Sequence, residues 1–90
     1  MEIWLTSKFK KAYKRLPKHI KEKAKEREKI FRKDPFSLAL ETHRLRGKYK
    51  DYWAFSIDKS YRIMFRFLNA TKTKVAFVNV GTHEIYKQTK

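Results

Sequence analysis

The chain has 90 residues and no cysteine, and its 24 Lys and Arg outnumber nine Asp and Glu, for a formal charge of +15 and a pI near 10.2. That length holds one domain, residues 1–90, and no second core. The absence of thiols excludes a disulfide framework and a thiolate metal site, and no apolar run is long enough to cross a bilayer. Hydrophobic residues at 41% and aromatics at 16% suffice for a small packed core. The first residues, MEIWLTSKFKKAYK, lack the charged-then-apolar order of a signal peptide, so the expected compartment is the cytoplasm. A field this positive gathers polyanions, nucleic acid first among them, with an anionic membrane surface or an acidic protein as alternatives.

In chain order, Met1 to Leu5 can supply a strand. Phe9, Ala12, Tyr13 and Leu16 then recur at helical spacing behind an N-cap at Thr6 or Ser7. Pro17 suits the first turn of a second helix, where its missing amide hydrogen would be unpaired anyway. Ile20, Ala24 and Phe31 lie along one side of that helix with Arg27 between them, and Glu28 to Arg32 is an i,i+4 pair of the favourable order. Between Lys8 and Lys33 the only acids are Glu22, Glu26 and Glu28. Asp34-Pro35 ends the pair of helices.

From residue 42 the texture changes. HRLRG, WAFSID, YRIMFRFL and KVAFVNVG are short segments rich in aromatic and β-branched residues, separated by turns at Asp58-Lys59-Ser60 and Asn69-Ala70-Thr71. Tyr61, Ile63, Phe65 and Phe67 share one strand face, the core face, and Arg62, Met64 and Arg66 share the other. Strict alternation in KVAFVNVG groups Val75, Phe77 and Asn79 against Ala76, Val78 and Val80, and marks a central strand. The predicted class is α+β: a small, mainly antiparallel sheet with an N-terminal pair of helices on one face, in the order β-α-α-β-β-β-β.

Three features bear on chemistry. Arg62, set in an apolar strand, presents a rigid fork suited to a phosphate, or else forms a structural ion pair. In RLRGKYKDYW, Arg44, Arg46, Lys48 and Lys50 alternate with Leu45, Tyr49 and Tyr52, which reads either as a nucleic-acid grip or as an ordinary polar hairpin. In VGTHEIYK, His83 follows a strand and Gly81, with Tyr86 just beyond and Lys87 next. A histidine there can move a proton near neutral pH, or simply sit on the surface. His19 reads as surface, and His43 opens the first late strand. No HxxxH, carboxylate cluster, glycine-rich phosphate loop or serine elbow is present, so neither a metal nor another cofactor is expected. An enzyme built on this set would use Arg, Lys, His and Tyr, the groups that serve metal-free RNA cleavage by the neighbouring 2′-hydroxyl.

The ordered set of L-x-G-x-Y-x-x-x-W from Leu45, Y-R-I-x-F from Tyr61 and V-G-x-H-x-x-Y from Val80 resembles the RelE/ParE superfamily of type II toxin–antitoxin toxins, over nearly the whole chain. The resemblance implies a small sheet with two N-terminal helices. It implies metal-free cleavage of mRNA in the ribosomal A site, as in the RelE-like and YafQ-like branches. The implied partners are the ribosome with its mRNA, and an acidic or partly disordered antitoxin. By position, Arg62 matches the arginine that holds the scissile phosphate, His83 the general acid, and Tyr86 a tyrosine that orients substrate. Lys48 and Lys50 match basic positions that activate the 2′-hydroxyl or neutralise charge, and His43 a histidine of the YafQ-like branch. Ser56 and Ser60 replace a histidine and an acidic residue of that branch, leaving His43, Lys48 and Asp58 as unranked candidates for the base. Arg44, Arg46, Arg66, Lys87, Lys8, Lys11 and Lys21 are expected to meet RNA or the ribosome.

Two other classes fit part of the pattern: a ParE-like inhibitor of DNA gyrase that cuts nothing, and a basic RNA-binding module or inactive toxin relic. The first generally lacks the basic-plus-histidine set. The second gives no reason for His83 and Tyr86 to follow the glycine.

Overall fold

The computed structural model describes residues 1–88, with side chains as far as Tyr86, so the expected role of Lys87 lies outside the described side chains. Strand β1 (Glu2–Leu5) is followed by helices α1 (Ser7–Lys14) and α2 (Lys18–Lys33). Four strands follow: β2 (His43–Arg44), β3 (Trp53–Ser56), β4 (Arg62–Phe67) and β5 (Lys74–Gly81). A short helix, α3 (Ile85–Gln88), which the sequence reading did not anticipate, closes the described chain. Single 3₁₀ turns at Leu38–Leu40 and Gly47–Tyr49 flank β2. No described helix is long and apolar enough to cross a membrane.

The sheet runs β1-β5-β4-β3-β2, with β1 parallel to β5 and every other pair antiparallel. The predicted class and element order therefore hold. Strand β5 is central, flanked by β1 and β4. The capping residue of α1 is Thr6, whose hydroxyl accepts from the Phe9 amide at 3.1 Å. Pro17 stands one place before α2, and its carbonyl accepts from the Ile20 and Lys21 amides at 3.0 Å each.

Phe9, Ile20, Ala24 and Phe31 from the helices, with Leu16 from the link between them, meet Phe55, Ile63, Phe65, Val75, Phe77 and Val80 from the sheet. Phe31 is the hub: its ring centroid lies 4.8 Å from Phe55, 4.9 Å from Phe65 and 5.4 Å from Phe77. Burial of such rings, with their offset and edge contacts, is the main force seating the helices on this face.

One pairing departs from strict alternation. Met64 pairs with Asn79 and Phe65 with Phe77, so Val78 is an extra residue, a bulge. The bulge reverses the expected faces beyond it. Val80 joins Phe77 in the core, and Asn79 turns to the opposite face beside Met64. The Thr6 hydroxyl donates to the carbonyls of Phe77 and Val78 at 3.1 and 3.3 Å, tying the start of α1 to the bulge.

Candidate active site

Helices α1 and α2 pack on one face of the sheet; on the opposite face Ala54, Met64 and Asn79 are also buried, while Arg62 is half-buried and His43 exposed. The side chains of this opposite face fall in rows: His43, Ala54, Met64 and Asn79 lie abreast across β2, β3, β4 and β5, and Ser56, Arg62 and Gly81 form the next row. Register alone thus sets Arg62 next to the strand end that leads to His83. Gly81 has φ +155, and a Cβ there would meet Ile85 Cγ2 at 2.9 Å. Only glycine lets α3 fold back this closely on β5. Ile85 is then buried and anchors α3.

α3 places Tyr86 over Arg62. The guanidinium carbon of Arg62 lies 6.0 Å from the Tyr86 ring centroid, and its Nη1 is 3.5 Å from the Tyr86 hydroxyl. The Tyr86 carbonyl accepts from the Tyr49 hydroxyl, which joins α3 to the 3₁₀ turn carrying Lys48. Gly47 starts that turn at φ +64. Lys48 Nζ sits 5.3 Å from the Tyr49 ring centroid, and Lys50, exposed just beyond, accepts through its carbonyl from Arg44 Nε at 2.7 Å. The interleaved basic and aromatic segment is therefore a hairpin, and its turn leans on α3.

On the other side of Arg62 a cavity of about 470 Å³ is lined by Glu41, His43, Ser56, Asp58, Lys59 and Arg62. His43 Nδ1 is 3.1 Å from the Glu41 carbonyl, which can only accept, so the proton of this bond sits on Nδ1, and in the neutral ring Nε2 is the acceptor. Asp58 is occupied differently. Its Oδ1 accepts from the Tyr61 amide at 2.7 Å and the Ser60 amide at 2.8 Å, closing the β3–β4 turn. Those amides, Tyr61 first, hold its carboxyl below the usual range, and a weakened carboxylate is a poor proton acceptor near neutrality.

His83 lies in the turn between β5 and α3 with its side chain 74% exposed and its Nε2 3.9 Å from Glu84 Oε1. The structure thus joins Arg62 to Tyr86, sets His43 on one cavity with Arg62, and links Lys48 to Tyr86 through Tyr49. His83 stands two residues beyond Gly81, the register partner of Arg62, and Lys50 just past the 3₁₀ turn; among the described residues no contact joins either side chain to this set. Arg46 is exposed at the start of the 3₁₀ turn. Arg66 stands at the far end of the same face, with its guanidinium 6.0 Å from the Tyr52 ring centroid. It shares a cavity of about 290 Å³ with Arg44 and Lys72. Lys8, Lys11 and Lys21 are on the helices, across the sheet from Arg62. Tyr49, the tyrosine of L-x-G-x-Y, is not among the site residues read from the sequence, because its bond to the Tyr86 carbonyl is not reported by residue type.

At the level of sequence, no protein-family model and no curated protein matches the chain. Solved structures do. A YoeB/ParE toxin from Agrobacterium tumefaciens superposes with a TM-score of 0.76 at 19% identity, covering 92% of this chain and 99% of that one. YafQ from E. coli strain BL21(DE3) gives 0.75 at 19%, with 94% and 96% covered. The chain has the fold of the RelE/ParE toxins. The toxin–antitoxin complex RelBE2 from Mycobacterium tuberculosis matches at 0.74 and 17%, over 90% of this chain and 95% of that one. The RelE/ParE fold thus spans nearly the whole length on both sides of each comparison, as the motifs implied.

Proposed function

We propose that the chain is a RelE/ParE-superfamily toxin of a type II toxin–antitoxin system, and that it cleaves mRNA in the ribosomal A site without a metal ion. The observation that carries this reading is the meeting of Arg62 with Tyr86 and His43 on the sheet face opposite α1 and α2, beside the strand end that leads to His83. Among the described residues no three His, Cys, Asp or Glu side chains gather as a metal-ligand set.

In this reaction the ribose 2′-oxygen bonds to the adjacent phosphorus and the bond from phosphorus to the 5′-oxygen breaks, leaving a 2′,3′-cyclic phosphate and a 5′-hydroxyl. Arg62 holds the phosphate and stabilises the charge that grows on its oxygens. Nε2 of His43 takes the 2′-hydroxyl proton, a role the geometry favours over Asp58, whose carboxylate is committed to the turn. His83, protonated, supplies the proton to the leaving 5′-oxygen. Its exposure leaves it open to a substrate brought in by the ribosome. Tyr86 orients the substrate beside Arg62, and Lys48 and Lys50 add positive charge at the rim. Lys8, Lys11 and Lys21, with Arg44, Arg46, Arg66 and Lys87, are assigned to rRNA and mRNA phosphates. The partner that silences the toxin is an acidic or partly disordered antitoxin, and the working compartment is the cytoplasm.

Primer extension on a defined mRNA in a purified translation system tests the reading. Cuts inside A-site codons with the wild-type chain, lost without ribosomes and reduced roughly 10²-fold or more in His83→Ala, are expected. Absence of cutting by the wild type would overturn the nuclease and direct the next assay to DNA supercoiling by gyrase.

A further inference from the structure

Among the described residues, two buried side-chain nitrogens lack a hydrogen-bond partner: Nε of Arg62 and Nε of Arg27. Unpaired buried donors of a charged group are costly, and each of these belongs to an arginine that lines a cavity. Arg27 lies on α2, where its Nη1 donates to the Ala39 carbonyl at 3.0 Å, a bond that fixes the guanidinium at the wall of a second cavity. This cavity, also about 470 Å³, is lined by Lys23, Arg27, Lys59 and their neighbours. It shares Glu41, Ser56, Asp58 and Lys59 with the Arg62 cavity, so the two form one trough around the end of β3.

The cations of the trough, Lys23, Arg27, Lys59 and Arg62, outnumber its carboxylates, Glu41 and Asp58, and the Asp58 carboxylate is already engaged by two amides. We propose that Arg27, with Lys23 and Lys59, forms a second phosphate subsite for the internucleotide phosphate adjoining the one held at Arg62. A single nucleic-acid strand suits this trough better than an acidic peptide, because its backbone carries an anion at every residue. A strand anchored at Arg62 therefore presents the next anion farther along the same continuous channel. The inference rests on the reading of Arg62 as a phosphate holder, but not on cleavage.

The test uses a 2′-O-methylated trinucleotide, which has two internucleotide phosphates and no nucleophile, titrated into the full chain. The Nε–Hε resonances of Arg27 and Arg62 are followed by NMR, with a glutamate-rich peptide as the comparison ligand. Both arginine resonances should shift with the trinucleotide. Arg27→Gln should lower the slope of log affinity against log salt by about 0.7, the contribution of one single-stranded phosphate. Lys59→Ala, an exposed turn position, should lower affinity in the same direction without touching the Arg27–Ala39 bond. A shift at Arg62 with none at Arg27 would overturn the subsite and leave the proposed function standing. No shift at either would overturn the reading of Arg62 as a phosphate holder, and the subsite with it. A response of Arg27 to the peptide alone would reassign the trough to a protein partner.

Discussion

Strand β4 shows two kinds of surface one residue apart. Toward the helices, Ile63 and Phe65 are sealed against Phe31, Phe55 and Phe77, and every atom there works by being excluded from water. Away from the helices, Arg62 and Arg66 keep their charge beside Tyr86 and Tyr52, and Met64 is the buried spacer between them. The first face sets whether the chain folds; the second sets what a folded chain can hold. A cationic face survives on so small a sheet because the aromatic core lies on the other.

Changes confined to one face should therefore separate stability from activity. The largest effect is expected from Phe31→Ala, which removes the ring that links three sheet aromatics and should cost about 3–5 kcal/mol. A shift in the urea midpoint measures it, and an unchanged midpoint would mean that the helices are not seated as described. On the other face, Arg62→Ala should reduce cleavage by roughly 10²–10³-fold while leaving the melting temperature nearly unchanged. Equal losses of stability and activity would erase the distinction between the faces.

Gly81→Ala sits where the two faces meet through α3. The new Cβ clashes with Ile85 at an unfavourable φ, so a loss of about 1–3 kcal/mol is expected, together with weaker activity as Tyr86 is displaced. Wild-type melting and cutting rates in this variant would show that α3 does not depend on the close approach.

The smallest effect concerns Asp58. Its folded pKa lies below the ordinary value of 3.8, so its bonds add stability above that value, and this is lost as pH falls through the folded value. Melting curves between pH 5 and pH 2 should show the wild type losing more stability than Asp58→Asn. Identical pH slopes would release Asp58 from the turn and return it to the candidates for the base.

The helices and the core face were readable because alternation and helical spacing report burial directly. Ile63, Phe65, Val75 and Phe77 fell where the pattern put them. The pattern failed from Val78 onward, since a valine fits either face and the bulge is held by Thr6, far away in sequence. Arg62, His83 and Tyr86 were legible from two motifs, and the register with the fold-back of α3 supplies the reason Arg62 and Tyr86 meet. The Tyr49 contact with the Tyr86 backbone and the second cavity at Arg27 were not, because both depend on where carbonyls point and not on residue type.

The parallel pairing of β1 with β5 joins Glu2 to Lys74 and Leu5 to Phe77, the most widely separated partners in the sheet. During synthesis the first strand must wait for the last, and the helices have only part of their floor until β5 arrives. Because β5 also ends at Gly81, beside Arg62, the step that completes the core is the same step that completes the cationic face. A nascent chain short of β5 thus has neither.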